Sequence, residues 1–221
     1  MTAITKVYGL ADRPEAAEGM NAPRTDLRPD LKLIIETVPA GTRVLDLGCG
    51  DGSLLGELLE RKTVFARGVE VEEKNVRVCI SRGLSVRHGD IEDGLADYPD
   101  RSFDFVILSQ TLGYLNRPLP VLAEILRVGR HAVISLENAG HWRRRLRAVT
   151  GKGAGYTILS GLPVVRSITL GQFEAALKEL GLKAERRRFI GAWAWLWPSL
   201  LARTAVYLVT KDESKTRKGK S

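Results

Sequence analysis

The chain has 221 residues, 44% of them hydrophobic, and 34 Lys and Arg against 26 Asp and Glu give a net charge of +8. A chain of this size can bury one substantial core, so a single domain is expected, and two cysteines are too few for a disulfide framework. The longest apolar run, residues 190–202, is too short to span a bilayer and contains Pro198, which argues against a membrane-spanning protein.

Residues 1–28 scatter Pro, Gly and charge without periodicity and read as a loosely ordered arm. Asp12, Glu15 and Glu18, with no apolar run beside them, speak against a signal or transit peptide, and with the two thiols taken as reduced the expected compartment is the cytoplasm. Asp30 is expected to N-cap a short helix over residues 31–36, stopped by Pro39 and Gly41. One domain is then expected over residues 29–211, with a basic disordered tail over residues 212–221.

Residues 43–52 read Arg-Val-Leu-Asp-Leu-Gly-Cys-Gly-Asp-Gly, followed by Ser53-Leu54-Leu55. A β-type run that breaks into alternating glycines and resumes in helix-forming residues predicts a strand, a tight turn and a helix, and ligands of open α/β sheets bind at such turns. The turn departs from the dinucleotide fingerprint, because its third glycine comes one residue early and Asp46 and Asp51 flank it. Two carboxylates facing a pyrophosphate would cost on the order of a few kcal/mol once desolvated. A cationic nucleoside without phosphate is favoured instead, and S-adenosylmethionine, with its sulfonium and ammonium, has that chemistry. As it stands the motif, with Asp46, Gly48, Cys49, Gly50, Asp51 and Gly52, resembles motif I of class I methyltransferases.

Residues 65–71 read as the second parallel strand, with Glu70 twenty positions past Gly50, where related folds put an acid to accept the ribose hydroxyls. Val71 follows in the same segment. A helix over about residues 74–82 and a strand over residues 84–88 lead to Gly89-Asp90-Ile91. By the methyltransferase resemblance Asp90 accepts the adenine amino group and the Ile91 backbone meets the ring; a turn cap is the alternative for Asp90. Residues 103–109 form a central strand whose end, Ser109-Gln110-Thr111-Leu112-Gly113-Tyr114, either lines the sulfonium and acceptor entry or caps the next loop. Gln110, Tyr114 and His141 are the acceptor-side candidates; His141, in Gly140-His141-Trp142, titrates near neutrality. No metal is expected.

A helix over residues 118–128 and a strand over residues 131–136 complete the parallel part, and the Gly-rich stretch 150–167 reads as a mobile cover. Thr169 is expected to cap a helix over residues 170–180 that Gly181 stops, before late strands near residues 183–190 and 204–210, the second of them antiparallel. Trp193, Trp195 and Trp197 alternate with smaller residues; core burial and a partner-protein patch both remain open for them. Arg143, Arg144, Arg145 and Arg147, then residues 186–188, then the tail carry much of the positive charge. With no aromatic interleaving or RNA-binding motif, they read as solvated surface, and nucleic acid is not an expected partner.

Leu27-Arg28-Pro29-Asp30, residues 44–52, 82–86, 89–90, 95–100, 103–112, 127–130 and Gly140-His141-Trp142-Arg143 resemble the MetW family of methionine-biosynthesis proteins. The resemblance implies a Rossmann-like α/β class I methyltransferase fold: a mostly parallel seven-stranded sheet with helices on both faces and an antiparallel last strand. It also implies S-adenosylmethionine as cofactor, S-adenosylhomocysteine as product, and an association with a homoserine O-acyltransferase. The chain departs from that family at Glu137, where Pro is usual, and in residues 152–168, which lack its aromatic and Asn-Ile-His segment. Three functions follow in order of preference: methyl transfer to a small acceptor, a non-catalytic subunit that binds and activates the acyltransferase, and RNA methylation.

Overall fold

The computed structural model describes residues 27–149 and 166–212. Most of the expected arm, most of the cover over residues 150–167 and nearly all of the tail lie outside these residues. Seven strands form one sheet in the order β3-β2-β1-β4-β5-β7-β6. They are β1 (Arg43–Leu47), β2 (Phe65–Glu70), β3 (Val86–His88), β4 (Phe103–Ser109), β5 (Gly129–Glu137), β6 (Leu182–Ile190) and β7 (Thr204–Lys211). β7 alone runs against its neighbours, pairing antiparallel with both β5 and β6, as expected for the last strand.

Period-two alternation in the central strands divides the core. Val44, Phe105, Ile107, Val133, Val206 and Leu208 pack on one face, against Leu31, Ile34 and Ile35 of α1 (Pro29–Thr37) and Leu54 and Leu58 of α2 (Ser53–Lys62). Leu45, Leu47, Val106, Leu108, Ile134 and Tyr207 face the other way. Against them lie Leu122, Ile125 and Leu126 of α4 (Pro118–Val128) and Phe173 and Leu177 of α6 (Leu170–Glu179). A third, small cluster joins Cys49, Leu55 and Cys79 of α3 (Glu73–Ser81) under the glycine turn. The sheet edges are protected differently: β3 has three residues, while β6 carries the exposed Arg186, Arg187 and Arg188.

Several local expectations change. Helix α1 begins at Pro29 with Arg28 as its N-cap, so Asp30 lies inside the first turn and is buried rather than capping. Proline is favoured at the first helical position because its missing N–H would be unpaired there. Leu27, counted with the arm, is buried against α1. Thr169 does cap α6, in a reciprocal box with Gln172. Residues 142–149, without a predicted element, form α5 (Trp142–Val149). Core burial of the tryptophans is overturned: Trp193, Trp195 and Trp197 are exposed, and the run turns instead of extending, with Trp193 at φ 59°.

Candidate functional site

The carboxyl end of β1 opens into a bend in which Gly48, Gly50 and Gly52 all take positive φ, a conformation that side chains on Cβ resist. The neighbouring strand sets its shape. Gly48 and Cys49 donate their N–H groups to the Val69 carbonyl at 2.8 and 3.2 Å. Gly50 donates to Glu70 Oε2 at 2.7 Å, and Glu72, the N-cap of α3, donates to Glu70 Oε1 at 2.9 Å. One carboxylate therefore ties the bend to the start of α3. A Cβ on Gly48 would come within 2.8 Å of Thr111 Oγ1, whereas one on Gly50 would meet nothing within 4 Å. The backbone at Gly50 thus faces open space.

Two of the acids of this corner are enclosed. Asp46 and Glu70 are each 2% exposed, and Asp46 Oδ1 has no hydrogen-bond partner. Burial, with the Glu70 charge adding to it and Arg28 opposing, pushes the Asp46 carboxyl up to about 7. Asp51 is differently employed: its Oδ1 accepts from Ser53 N–H at 3.1 Å and Ser53 Oγ at 2.7 Å, fixing the start of α2. Behind the bend the Cys49 thiol is pushed up by its hydrogen bond with Cys79 and by burial, so it stays protonated.

Asp90 and Ile91 follow at the end of β3, brought beside Glu70 by the bond from Gly89 N–H to the Glu70 carbonyl at 2.9 Å. Asp90 Oδ1 accepts the Glu92 N–H at 2.8 Å and so caps the 3₁₀ turn Ile91–Asp93, in which Ile91 is buried. Val71 stands next to Glu70, and its carbonyl is 2.9 Å from His88 Nε2.

The end of β4 adds a network that sequence reasoning missed. Asp30, 2% exposed, takes Arg28 Nη2 at 2.9 Å and the Ser135 hydroxyl at 2.9 Å, with Ser109 Oγ 3.3 Å away. Burial alone would raise the Asp30 carboxyl, but the Arg28 guanidinium and the Ser135 hydroxyl hold it below the ordinary carboxylate range. Ser109 is therefore held by the first helix. Gln110 adopts φ 53°, and its N–H donates to the Ser135 carbonyl at 2.9 Å. Left-handed backbone at a residue other than glycine is a strain that packed neighbours must maintain. Tyr114 ends the 3₁₀ turn Leu112–Tyr114, over which the Arg166 N–H reaches the Gly113 carbonyl at 2.7 Å.

The bend, Glu70, Asp90, Ser109 and Gln110 all stand at the carboxyl edge of the sheet, on β1 and its neighbours. His141 stands apart, beyond the end of β5. It is buried, its Nδ1 accepts the Arg143 N–H at 3.3 Å, and burial with Arg203, Arg143 and Arg144 lowers its pKa, keeping the ring neutral at pH 7. Asn138, missed beforehand, is 1% exposed; its amide donates to the Ser199 and Ala202 carbonyls at 3.0 and 2.9 Å and accepts from Gly140 N–H at 2.9 Å. A cavity of about 530 Å³ lined by Arg101, Arg130, His131 and Lys183 lies at the opposite edge of the sheet. Open α/β sheets bind ligands at the carboxyl ends of their strands, the edge at which the bend and not this cavity stands. No three His, Cys, Asp or Glu side chains among the described residues are grouped to hold a metal.

The family model for methionine biosynthesis protein MetW matches residues 28–209, from the N-cap of α1 into β7. The chain belongs to the MetW family. Among curated relatives, the bifunctional methionine biosynthesis protein MetXA/MetW of Rhodopirellula baltica is 41% identical over 132 residues, 56% of this chain and 21% of that protein. The ubiquinone biosynthesis O-methyltransferase of Hahella chejuensis is 32% identical over 138 residues, 59% of this chain and 57% of that one. The MetW-family chain thus spans between about a fifth and three-fifths of the length of these relatives. Solved structures of SAM-dependent methyltransferases from Methanosarcina mazei and Archaeoglobus fulgidus superpose with TM-scores of 0.63 and 0.62 at 16% and 18% identity. They cover 84% and 82% of the MetW-family chain and 98% and 90% of their own, and share its class I methyltransferase fold.

Proposed function

We propose that this cytoplasmic MetW-family protein binds S-adenosylmethionine at the glycine bend and directs its methyl group to a small acceptor, leaving S-adenosylhomocysteine. The observation that carries this reading is Asp46: a buried carboxylate oxygen without a partner, near the Glu70 charge and beside a bend whose Gly50 backbone opens to space. A pyrophosphate would add negative charge there, whereas a cation lowers the cost of the two acids. The residues present fit the cofactor. Asp46 and the backbone of Gly48, Cys49, Gly50, Asp51 and Gly52 would take its amino-acid end, the remaining lone pairs of Glu70 its ribose with Val71 alongside, and Asp90 and Ile91 its adenine.

When bound, the cofactor supplies a methyl group already activated on a sulfonium. The chain itself needs to orient the acceptor and exclude water, so a strong acid–base pair is not required. Ser109 and Gln110 border the sulfonium side, and Tyr114 and His141 remain acceptor-side candidates. The neutral ring of His141 is in the form that takes up a proton. Isothermal titration with S-adenosylmethionine tests the reading: Asp46→Asn and Glu70→Ala should each weaken binding by about 1–3 kcal/mol, the scale for a hydrogen bond to a charged group. Unchanged affinity in both variants refutes the assignment.

A second reading, a subunit that binds the nucleoside and activates homoserine O-acyltransferase, is favoured by the joining of MetXA and MetW in the bifunctional relative from Rhodopirellula baltica. Turnover of S-adenosylmethionine by the isolated chain favours the first reading. A changed acyltransferase rate on mixing, without turnover, favours the second.

A further inference from the structure

Two segments at the carboxyl end of β5 expose apolar side chains. Residues 191–203, between β6 and β7, hold Trp193, Trp195, Leu196 and Trp197 at 66, 74, 59 and 65% exposure. Helix α5 exposes Trp142, Leu146 and Val149, at 42, 54 and 85%, spaced i, i+4, i+7 along one stripe. The two segments are bound together: Asn138 bonds the carbonyls of Ser199 and Ala202, and a Cβ on the adjacent Gly140 would lie 2.9 Å from the Ser199 carbonyl. They are tied side by side at one end of the sheet, and exposed apolar side chains gathered in this way mark sites of interaction.

Within the two segments the charge has one sign, with Glu137 at the end of β5 bordering them. Residues 138–149 and 191–203 contain Arg143, Arg144, Arg145, Arg147 and Arg203 and not one Asp or Glu. Arg143 lies over the Trp142 ring at 5.3 Å, and Arg144 is paired with Glu137 at the end of β5. Tryptophan and arginine together on a helix face, with aliphatic residues on the same stripe, suit the boundary between lipid headgroups and acyl chains: indoles lie at headgroup level and guanidiniums meet phosphate. Here Trp193, Trp195 and Trp197 protrude, each at least 65% exposed.

We propose that this face docks the protein peripherally on an anionic phospholipid bilayer. It stands at the same edge of the sheet as the glycine bend, so docking turns that edge toward the lipid surface. This inference does not depend on the methyl-transfer reading.

The test is co-sedimentation of the full chain with vesicles of phosphatidylglycerol and phosphatidylcholine, and with phosphatidylcholine alone, at low and high salt. Retention on the anionic vesicles only, loss at high salt and a blue shift of tryptophan emission on binding are expected. The W193A/W195A/W197A variant should lose about tenfold or more of its vesicle affinity, since each indole contributes buried apolar area. Arg143, Arg144, Arg145 and Arg147 changed together to Gln should lose it too, and changed together to Lys should retain it. The tail from Lys215 to Lys220 is intact in every variant, so equal retention of wild type and the Trp variant overturns the proposal by assigning binding to the tail. Absence of retention at low salt overturns it as well. So does a Trp-dependent self-association, or a Trp-dependent complex with an acyltransferase, in a chain that ignores vesicles. Single W195A, with a melting curve matching wild type, keeps the result readable if the triple variant unfolds.

Discussion

At the β1–β2 corner acidic side chains are inside: Asp46 and Glu70 are 2% exposed, and backbone N–H groups of Gly50 and Glu72 close on the Glu70 oxygens. At the β5–β7–β6 end the large side chains are outside, with indoles and guanidiniums in solvent and Asn138 holding the backbone beneath them. Both regions belong to one carboxyl edge, yet enclosed charge fixes the geometry of the first, while backbone bonds and the neutral amide of Asn138 fix that of the second. Enclosed charge tolerates few arrangements, because an unpartnered ion in a low-dielectric site is costly. The first region is consequently built to one shape, while the second presents side chains whose rotamers stay open.

That contrast is broken most severely at Asn138. Asn138→Ala leaves the Ser199 and Ala202 carbonyls and the Gly140 N–H without their partner, and should lower folding stability by about 2–4 kcal/mol in urea titration. Asp46 sharpens it through pH. Its folded-state carboxyl titrates at about 7, above the ordinary value of 3.8, so between these values the native state holds a proton that the unfolded chain has released. Its contribution to stability therefore falls as pH rises from about 4 to about 7. Melting curves should show Asp46→Asn more stable than wild type at pH 8 and nearly equal at pH 4. Affinity for a cationic nucleoside should rise over the same interval, because binding favours the charged carboxylate. Thr169→Ala, which removes the cap of α6, should cost about 1 kcal/mol in the same denaturation. Smallest is Trp195→Ala, expected within about 0.5 kcal/mol of wild type, since an exposed indole has little packing to lose.

The strands were legible because buried parallel strands need largely apolar runs; β4 matches its expected bounds of residues 103–109, and α4 its expected 118–128. The glycine bend was legible because few residues other than glycine accept its backbone. What escaped depends on distance in sequence or on surface. Asp30 reads locally as a cap, and only the sheet brings Ser109 and Ser135 to it. Pro29 was the available signal, since proline at the first helical position moves Arg28 to the cap and Asp30 inward. Helix α5 has four arginines in eight residues, and its short apolar stripe of Trp142, Leu146 and Val149 lies exposed, so charge outweighed the helical spacing. The tryptophan run alternates as a strand would, but Trp193 turns left-handed and the chain coils outward.

The Asp30 cluster also sets an order of events during synthesis. Its carboxylate joins partners 79 and 105 positions further along, on strands not yet made when α1 leaves the ribosome. Long-range contacts of this kind close late. The first helix can meet Val44, Leu54 and Leu58 early but gains its full set of partners only once Ser135 has emerged, and a nascent chain arrested before that point would leave part of the apolar face of α1 to the cell's chaperones.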